Sequence, residues 1–136
     1  MTATTKPITI EQGATFTLPF TWHLALVDAD GNLVLDANGN AQPGEPKDLT
    51  GWTARMQVRK KVGSEVLLEA TSEAGITLGG TAGTVRVKFT DEQTDTLMLK
   101  AAVYDLELED EAGDVYRLLE GTVTIKPNVT RTEATP

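Results

Sequence analysis

The stretch "VDADGNLVLDANGN", Val27 to Asn40, sets Asp28, Asp30, Asn32 and Asp36 around two glycine turns. Oxygen ligands this closely spaced could form a calcium loop. Such a loop places ligands at its first, third and fifth positions, glycine at the sixth and a bidentate glutamate at the twelfth. Counted from Asp28, Asp30 and Asn32 fall on the third and fifth positions, but Gly31 arrives at the fourth and Gly39 occupies the twelfth. No flanking helices are expected either. Asp-Gly and Asn-Gly are hairpin-turn residues, and the "LVL" between them reads as a short strand. Two turns are therefore expected. Asp28, Asp30, Asn32 and Asp36 are the only metal candidates, and no cofactor is expected.

The other chemistry-bearing residues form no constellation. His23 is the only histidine, which removes His-clustered zinc sites and leaves a catalytic triad a single possible base. It follows Trp22 on the strand face opposite the aromatic residues, an exposed position. The serines, Ser64 and Ser72, sit in no motif. "ITLGGTAGT" lacks the lysine and following helix of a phosphate loop and the spaced glycines of a dinucleotide turn, and reads as two strands joined by glycines. Asp105, Glu107 and Glu109 share one strand face, where like charges favour water over a catalytic cleft. Arg59, Lys60 and Lys61 are the densest basic run, beside a Gly-Ser turn, and read as a solvated hairpin tip. Asn128-Val129-Thr130 has the pattern of a glycosylation acceptor, to which no weight attaches without a secretory context. No catalytic residue is expected, and the chain is not expected to be an enzyme.

The totals bound the partners. Twenty acidic against twelve basic residues give a net charge of −8, which opposes binding to a nucleic-acid backbone. There is no cysteine, so disulfides and thiolate metal sites are excluded. The opening "MTATTKPITIEQG" has no basic region ahead of an apolar core, so no secretory leader is expected. No apolar run approaches the roughly 18 residues that span a bilayer. The expectation is a soluble protein of a reducing cytoplasm, unless it leaves within a larger particle.

The elements that position these residues are strands. In "WTARMQVR", Trp52, Ala54, Met56 and Val58 share one face and Thr53, Arg55, Gln57 and Arg59 the other. Val85, Val87 and Phe89 repeat this in "TVRVKFT", Tyr104, Leu106 and Leu108 in "VYDLELED", and Val123 and Ile125 in "EGTVTIK". "PITIE" offers Ile8 and Ile10. "ATFTLPFTWHLAL" sets Phe16, Leu18, Phe20 and Trp22 together, with Pro19 marking an edge or bend. "EAGD" joins Val103–Glu109 to Val115–Ile125 as a hairpin, with Gly121 as a candidate bulge. The one helical turn is "TDEQTDTLMLK", where Thr90 and Gln93 fit a capping box. About seven short strands with one helical turn predict an all-β, immunoglobulin-like antiparallel sandwich. The expected layout is a flexible arm over 1–6, the sandwich over 7–127 and a flexible tail over 128–136.

Laid out in order, "ITIEQGATFTLPFTW", "DLTGWTARMQVRKK", "ITLGG", "GTVRVKFTDEQTDTL" and "AVYDLELEDEAGDVYRLLEGTVTIKP" resemble small tail and baseplate modules of bacteriophages. The chain is similar to the N-terminal immunoglobulin-like domain of siphophage upper baseplate proteins. That resemblance implies a virion structural protein without chemistry, assembled in the bacterial host cytoplasm. It would link fibre or receptor-binding components to the tail and be present in several copies or as a homo-oligomer. Other virion proteins would be its partners, with no nucleic acid and no membrane, and strand edges and termini would make the contacts. Two alternatives stay open: a carbohydrate- or receptor-binding sandwich, with Tyr116 as the best exposed aromatic, and a capsid decoration protein.

Overall fold

The computed structural model describes residues 3–129. Its strands are β1 (Thr4–Thr5), β2 (Ile8–Glu11), β3 (Phe16–Thr21), β4 (His23–Ala25), β5 (Pro43–Pro46), β6 (Thr53–Arg59), β7 (Val66–Thr71), β8 (Ile76–Leu78), β9 (Thr84–Phe89), β10 (Ala101–Glu109) and β11 (Val115–Lys126). One short helix, α1 (Asp91–Asp95), follows β9. The architecture is an all-β sandwich. One sheet runs β1-β11-β10-β6-β7 with β2 also on β11, the other runs β3-β9-β8, and β4 and β5 form a separate pair.

Alternation decides the core. Ala54, Met56 and Val58 of β6, Val85, Val87 and Phe89 of β9, Leu106 and Leu108 of β10, and Val123 and Ile125 of β11 are all buried in one cluster. Each valine, leucine, isoleucine, methionine or phenylalanine side chain among them contributes about 1.5–3 kcal/mol on leaving water. The helix is held as its sequence predicts: the Thr90 hydroxyl accepts from the Gln93 amide, and the Gln93 side chain accepts from the Thr90 amide. Its buried Thr94 ties it to the β2–β3 corner, donating to the Ala14 carbonyl (2.9 Å) and accepting from the Gly13 amide (3.0 Å). Pro19 lies in β3, an edge strand, where its missing N–H is tolerated. Among the described residues, no helix is long and apolar enough to cross a membrane.

Three expectations need correcting. The arm expected over 1–6 is paired from Thr4 onward. Thr4 and Thr5 lie parallel to Leu119 and Glu120 of β11, Ile8 to Glu11 continue in the same register, and the Lys6 amide donates to the Glu120 carbonyl (2.8 Å). Pro7 cannot donate to the ladder, which is why one continuous line is split into β1 and β2. The tail expected over 128–136 begins with a held residue, because the Asn128 amide donates to the Gln12 side chain (3.1 Å); residues 130–136, like 1–2, lie outside those described. The bulge is not at Gly121. The register of β10 against β11 jumps from Leu106↔Leu119 to Glu107↔Arg117, leaving Leu118 as the extra residue. Consecutive leucines cannot share a face of a regular strand, and the bulge lets both be buried. Gly121 serves a close approach instead: a side chain there would meet the Lys6 carbonyl oxygen at 2.6 Å.

Candidate functional site

Between Trp22 and Lys47 the chain leaves the sandwich. The Lys47 amide donates to the Trp22 carbonyl (2.7 Å), and the Trp22 amide donates to the Gly83 carbonyl (2.9 Å), so the excursion is closed at its base and pinned to the loop before β9. Gly83 is buried at φ +68°, and any side chain there would meet the Trp22 and Lys47 backbones within 3.0 Å. Around this base Trp22 stands edge-on to Trp52 (ring centroids 5.5 Å), and Tyr116 stacks on Trp52 (5.4 Å). The Lys47 ammonium lies over both indoles, 5.9 Å from Trp22 and 5.4 Å from Trp52. Next to it, the hydroxyl and amide of Thr50 both donate to Asp48, holding its carboxyl below the usual range.

Beyond the base, three short segments close on one another. The Leu26 amide donates to the Gln42 carbonyl (2.8 Å), the Gln42 amide to the Val34 carbonyl (3.0 Å), and the Val34 amide to the Leu26 carbonyl (2.9 Å). Bridges at Val27↔Leu33 and Leu35↔Ala41 extend the pairing. A closed triangle of backbone is too narrow to enclose a core, so its aliphatic side chains point out. Leu24, Leu26, Val27, Leu33 and Leu35 are each between 38 and 56 % exposed. All five fall within the stretch from Leu24 to Leu35. The segment carries Asp28, Asp30, Asp36 and Glu45 but no lysine or arginine from His23 to Pro46.

The four metal candidates fall within this arm. One oxygen of Asp28 accepts from the amides of Asp30 (2.9 Å) and Asn32 (3.0 Å), and one of Asp36 from those of Asn38 (2.8 Å) and Asn40 (3.0 Å). Gly31 and Gly39, both at φ +83°, complete the turns. The same turn recurs between β10 and β11, where Asp110 accepts from Ala112 and Asp114 and Gly113 lies at φ +91°. The carboxylates thus order backbone hairpins. Among the described residues, no group of three or more histidine, aspartate and glutamate side chains is placed to hold a metal ion.

The remaining candidates are dispersed. His23 is exposed, its Nδ1 3.0 Å from the Gly44 carbonyl. Asp105 and Glu107 lie on the outer face of β10, where Arg117 of β11 reaches both (3.4 and 3.5 Å) and also Glu120 (3.6 Å), while Arg55 of β6 reaches Glu107 (3.7 Å). Partial burial and the neighbouring Glu107 push the Asp105 carboxyl up, against the pull of Arg117. Arg59 is tied to Ser64 and Gln57, leaving Lys60 and Lys61 at the hairpin tip. Tyr116, the aromatic expected to be most exposed, is half-buried against Trp52.

The exposed leucines of the arm escaped the reading of the sequence. Their signal was present in the apolar "LALV" and "LVL" flanking two turns, in a stretch too short for any strand to bury them.

No protein-family model matches the chain, and no curated protein matches it. Among solved structures, the crystal structure of CopC from Methylosinus trichosporium OB3b aligns with a TM-score of 0.39 and 8 % identity, over 67 % of this chain and 76 % of that one. At that level nothing about a ligand is carried over.

Proposed function

We propose that the chain is a non-enzymatic assembly module, a virion tail or baseplate adaptor of the class its strand order resembles. The observation that supports this reading is the arm, which leaves the sandwich and holds Leu24, Leu26, Val27, Leu33 and Leu35 partly exposed. Its backbone triangle turns its own amides and carbonyls inward on one another, so the arm engages a partner through side chains and not by adding a strand. The sandwich fixes the base through Trp22, Gly83 and Lys47, which keeps the arm positioned before contact and lowers the ordering cost of docking.

The test is mass spectrometry of gradient-purified particles from the host culture in which this chain is expressed. The reading expects the chain in the particles in several copies, and expects the paired change Leu33→Asp with Leu35→Asp to exclude it while leaving its circular dichroism unchanged. Particles that lack the wild-type chain would sink the proposal.

A further inference from the structure

The arm carries one short sequence twice. Asp28-Ala29-Asp30-Gly31-Asn32 and Asp36-Ala37-Asn38-Gly39-Asn40 are identical except that Asp30 stands where Asn38 does. The two fold into the same turn. In each, the first aspartate amide donates to the carbonyl of the last asparagine (2.9 and 2.8 Å), and the glycine amide donates to the aspartate carbonyl (3.0 Å in both). One oxygen of Asp28 or Asp36 holds the amides of the third and fifth residues, and both glycines lie at φ +83°. The turn thus accepts a carboxylate or a carboxamide at its third position.

At that position a carboxamide is open to attack by its own backbone. Asn38 is exposed, and Gly39 has nothing within 4 Å of the point where a side chain would begin. No Cβ shields the Gly39 nitrogen, and glycine leaves the backbone free to bring it toward the Asn38 side chain. The other asparagines lack this neighbour: Asn32 precedes Leu33, Asn40 precedes Ala41, and Asn128 precedes the β-branched Val129. Leu33 and Ala41 are also fixed by the bridges Val27↔Leu33 and Leu35↔Ala41. The Gly39 nitrogen is held by its bond to Asp36 in a turn outside the core, so its release needs only local opening.

We infer that Asn38 is a site of spontaneous modification, where water converts the side-chain amide to a carboxylate. The deprotonated Gly39 nitrogen attacks Cγ of Asn38, and the new C–N bond closes a five-membered succinimide. The Cγ–Nδ2 bond breaks and ammonia leaves. Water then opens the ring at one of its two carbonyls, so the chain loses one ammonia and gains one water with no change in oxidation state. Opening on one side restores the normal backbone with an aspartyl side chain, which the Asp28–Asn32 turn accommodates with every bond kept. Opening on the other routes the backbone through the side chain and lengthens it by one carbon, so the Gly39 amide no longer falls opposite the Asp36 carbonyl. Either product adds a negative charge to a segment that already holds Asp28, Asp30, Asp36 and Glu45. This inference does not depend on the assembly reading.

Peptide mapping by mass spectrometry tests it, on the full chain kept folded in mildly alkaline water enriched in heavy oxygen. Label should enter at Asn38 before Asn32, Asn40 or Asn128, as a mixture of aspartyl and isoaspartyl peptides. Because one backbone bond gates the attack, the folded rate should lie within about tenfold of the rate in the same buffer with urea. Asp36→Ala frees the amides of Asn38 and Asn40 and should speed the conversion. Asn38→Asp, the ordinary product, should keep the wild-type circular dichroism and melting temperature. A slowing by folding beyond that tenfold would overturn the inference, because the turn would then protect Asn38. Label appearing first at another asparagine would overturn it too.

Discussion

Tyr104 reaches across the sheet to Lys6: its hydroxyl donates to the Lys6 carbonyl at 2.7 Å, over the position of its register partner Gly121. The core-facing ring thereby anchors the chain where Pro7 interrupts the ladder. Tyr104→Phe keeps the ring and loses one buried hydrogen bond, so a loss of about 1 kcal/mol is expected in urea unfolding. Gly121→Ala should cost more, about 2 kcal/mol or above, because its side chain would overlap the Lys6 backbone. Equal stability of Gly121→Ala and wild type would show that the N-terminal line is not packed there.

Burial also pushes the Tyr104 hydroxyl up to about 12 from the usual 10.0. In the window between those values the folded protein holds a proton that the unfolded chain has released, so this stabilisation is intact below about 10 and is lost as pH rises toward 12. Wild type should therefore lose stability on alkaline titration more steeply than Tyr104→Phe. Parallel curves for the two proteins would remove Tyr104 as the cause.

At the base of the arm, Gly83→Ala combines a left-handed backbone with an overlap against Trp22 and Lys47. A loss of about 2 kcal/mol or more is expected. Because Trp22 and Trp52 report on the same place, their fluorescence in the folded state should shift in the variant. An unchanged spectrum would mean that the base tolerates the side chain and that the arm is not pinned there.

The repeated aspartate turn gives a paired comparison. Asp110→Ala weakens the hairpin of β10 and β11, part of the core, and should lower global stability by about 1 kcal/mol. Asp36→Ala removes the same two bonds from the arm, outside the core. It should leave the melting temperature nearly unchanged while speeding hydrogen exchange at Asn38 and Asn40. Added calcium should shift neither protein's melting temperature. A rise in Tm with calcium would show that these carboxylates bind it after all.

Much of the sandwich is legible because its signals are local. The alternation of Ala54, Met56 and Val58, the Thr90–Gln93 capping pair and the Asp-Gly and Asn-Gly turns each depend on residues a few positions apart. What was missed is non-local. Thr4 and Thr5 are polar and short, and nothing nearby says that they pair with Leu119 and Glu120 at the far end of the chain. Gly121 resembles a bulge until Lys6 is known to cross it. The Leu118-Leu119 pair did break the alternation and could have located the real bulge. For the arm, the turns were readable, but the backbone triangle that forces its leucines outward depends on three segments meeting at once.

The outer face of β10 supplies the acid-side prediction. Asp105 is pushed up first by partial burial and then by Glu107, with Glu120 adding to the effect and Arg117 and Arg55 opposing it. Since the folded value exceeds the unfolded one, the folded state binds the proton more tightly. That contribution is complete below the unfolded value of 3.8 and is lost as pH rises through the folded value. At neutral pH the ionised Asp105 is then a net burden on the fold, despite its 3.4 Å ion pair with Arg117. Asp105→Asn should melt somewhat higher than wild type at about pH 7, and the difference should vanish at about pH 3, where both side chains are neutral. The effect is small because the carboxylate is partly exposed and water screens its neighbours. A variant that melts lower at neutral pH would mean that the Arg117 pair outweighs burial, and the charged face of β10 would then be a stabilising network.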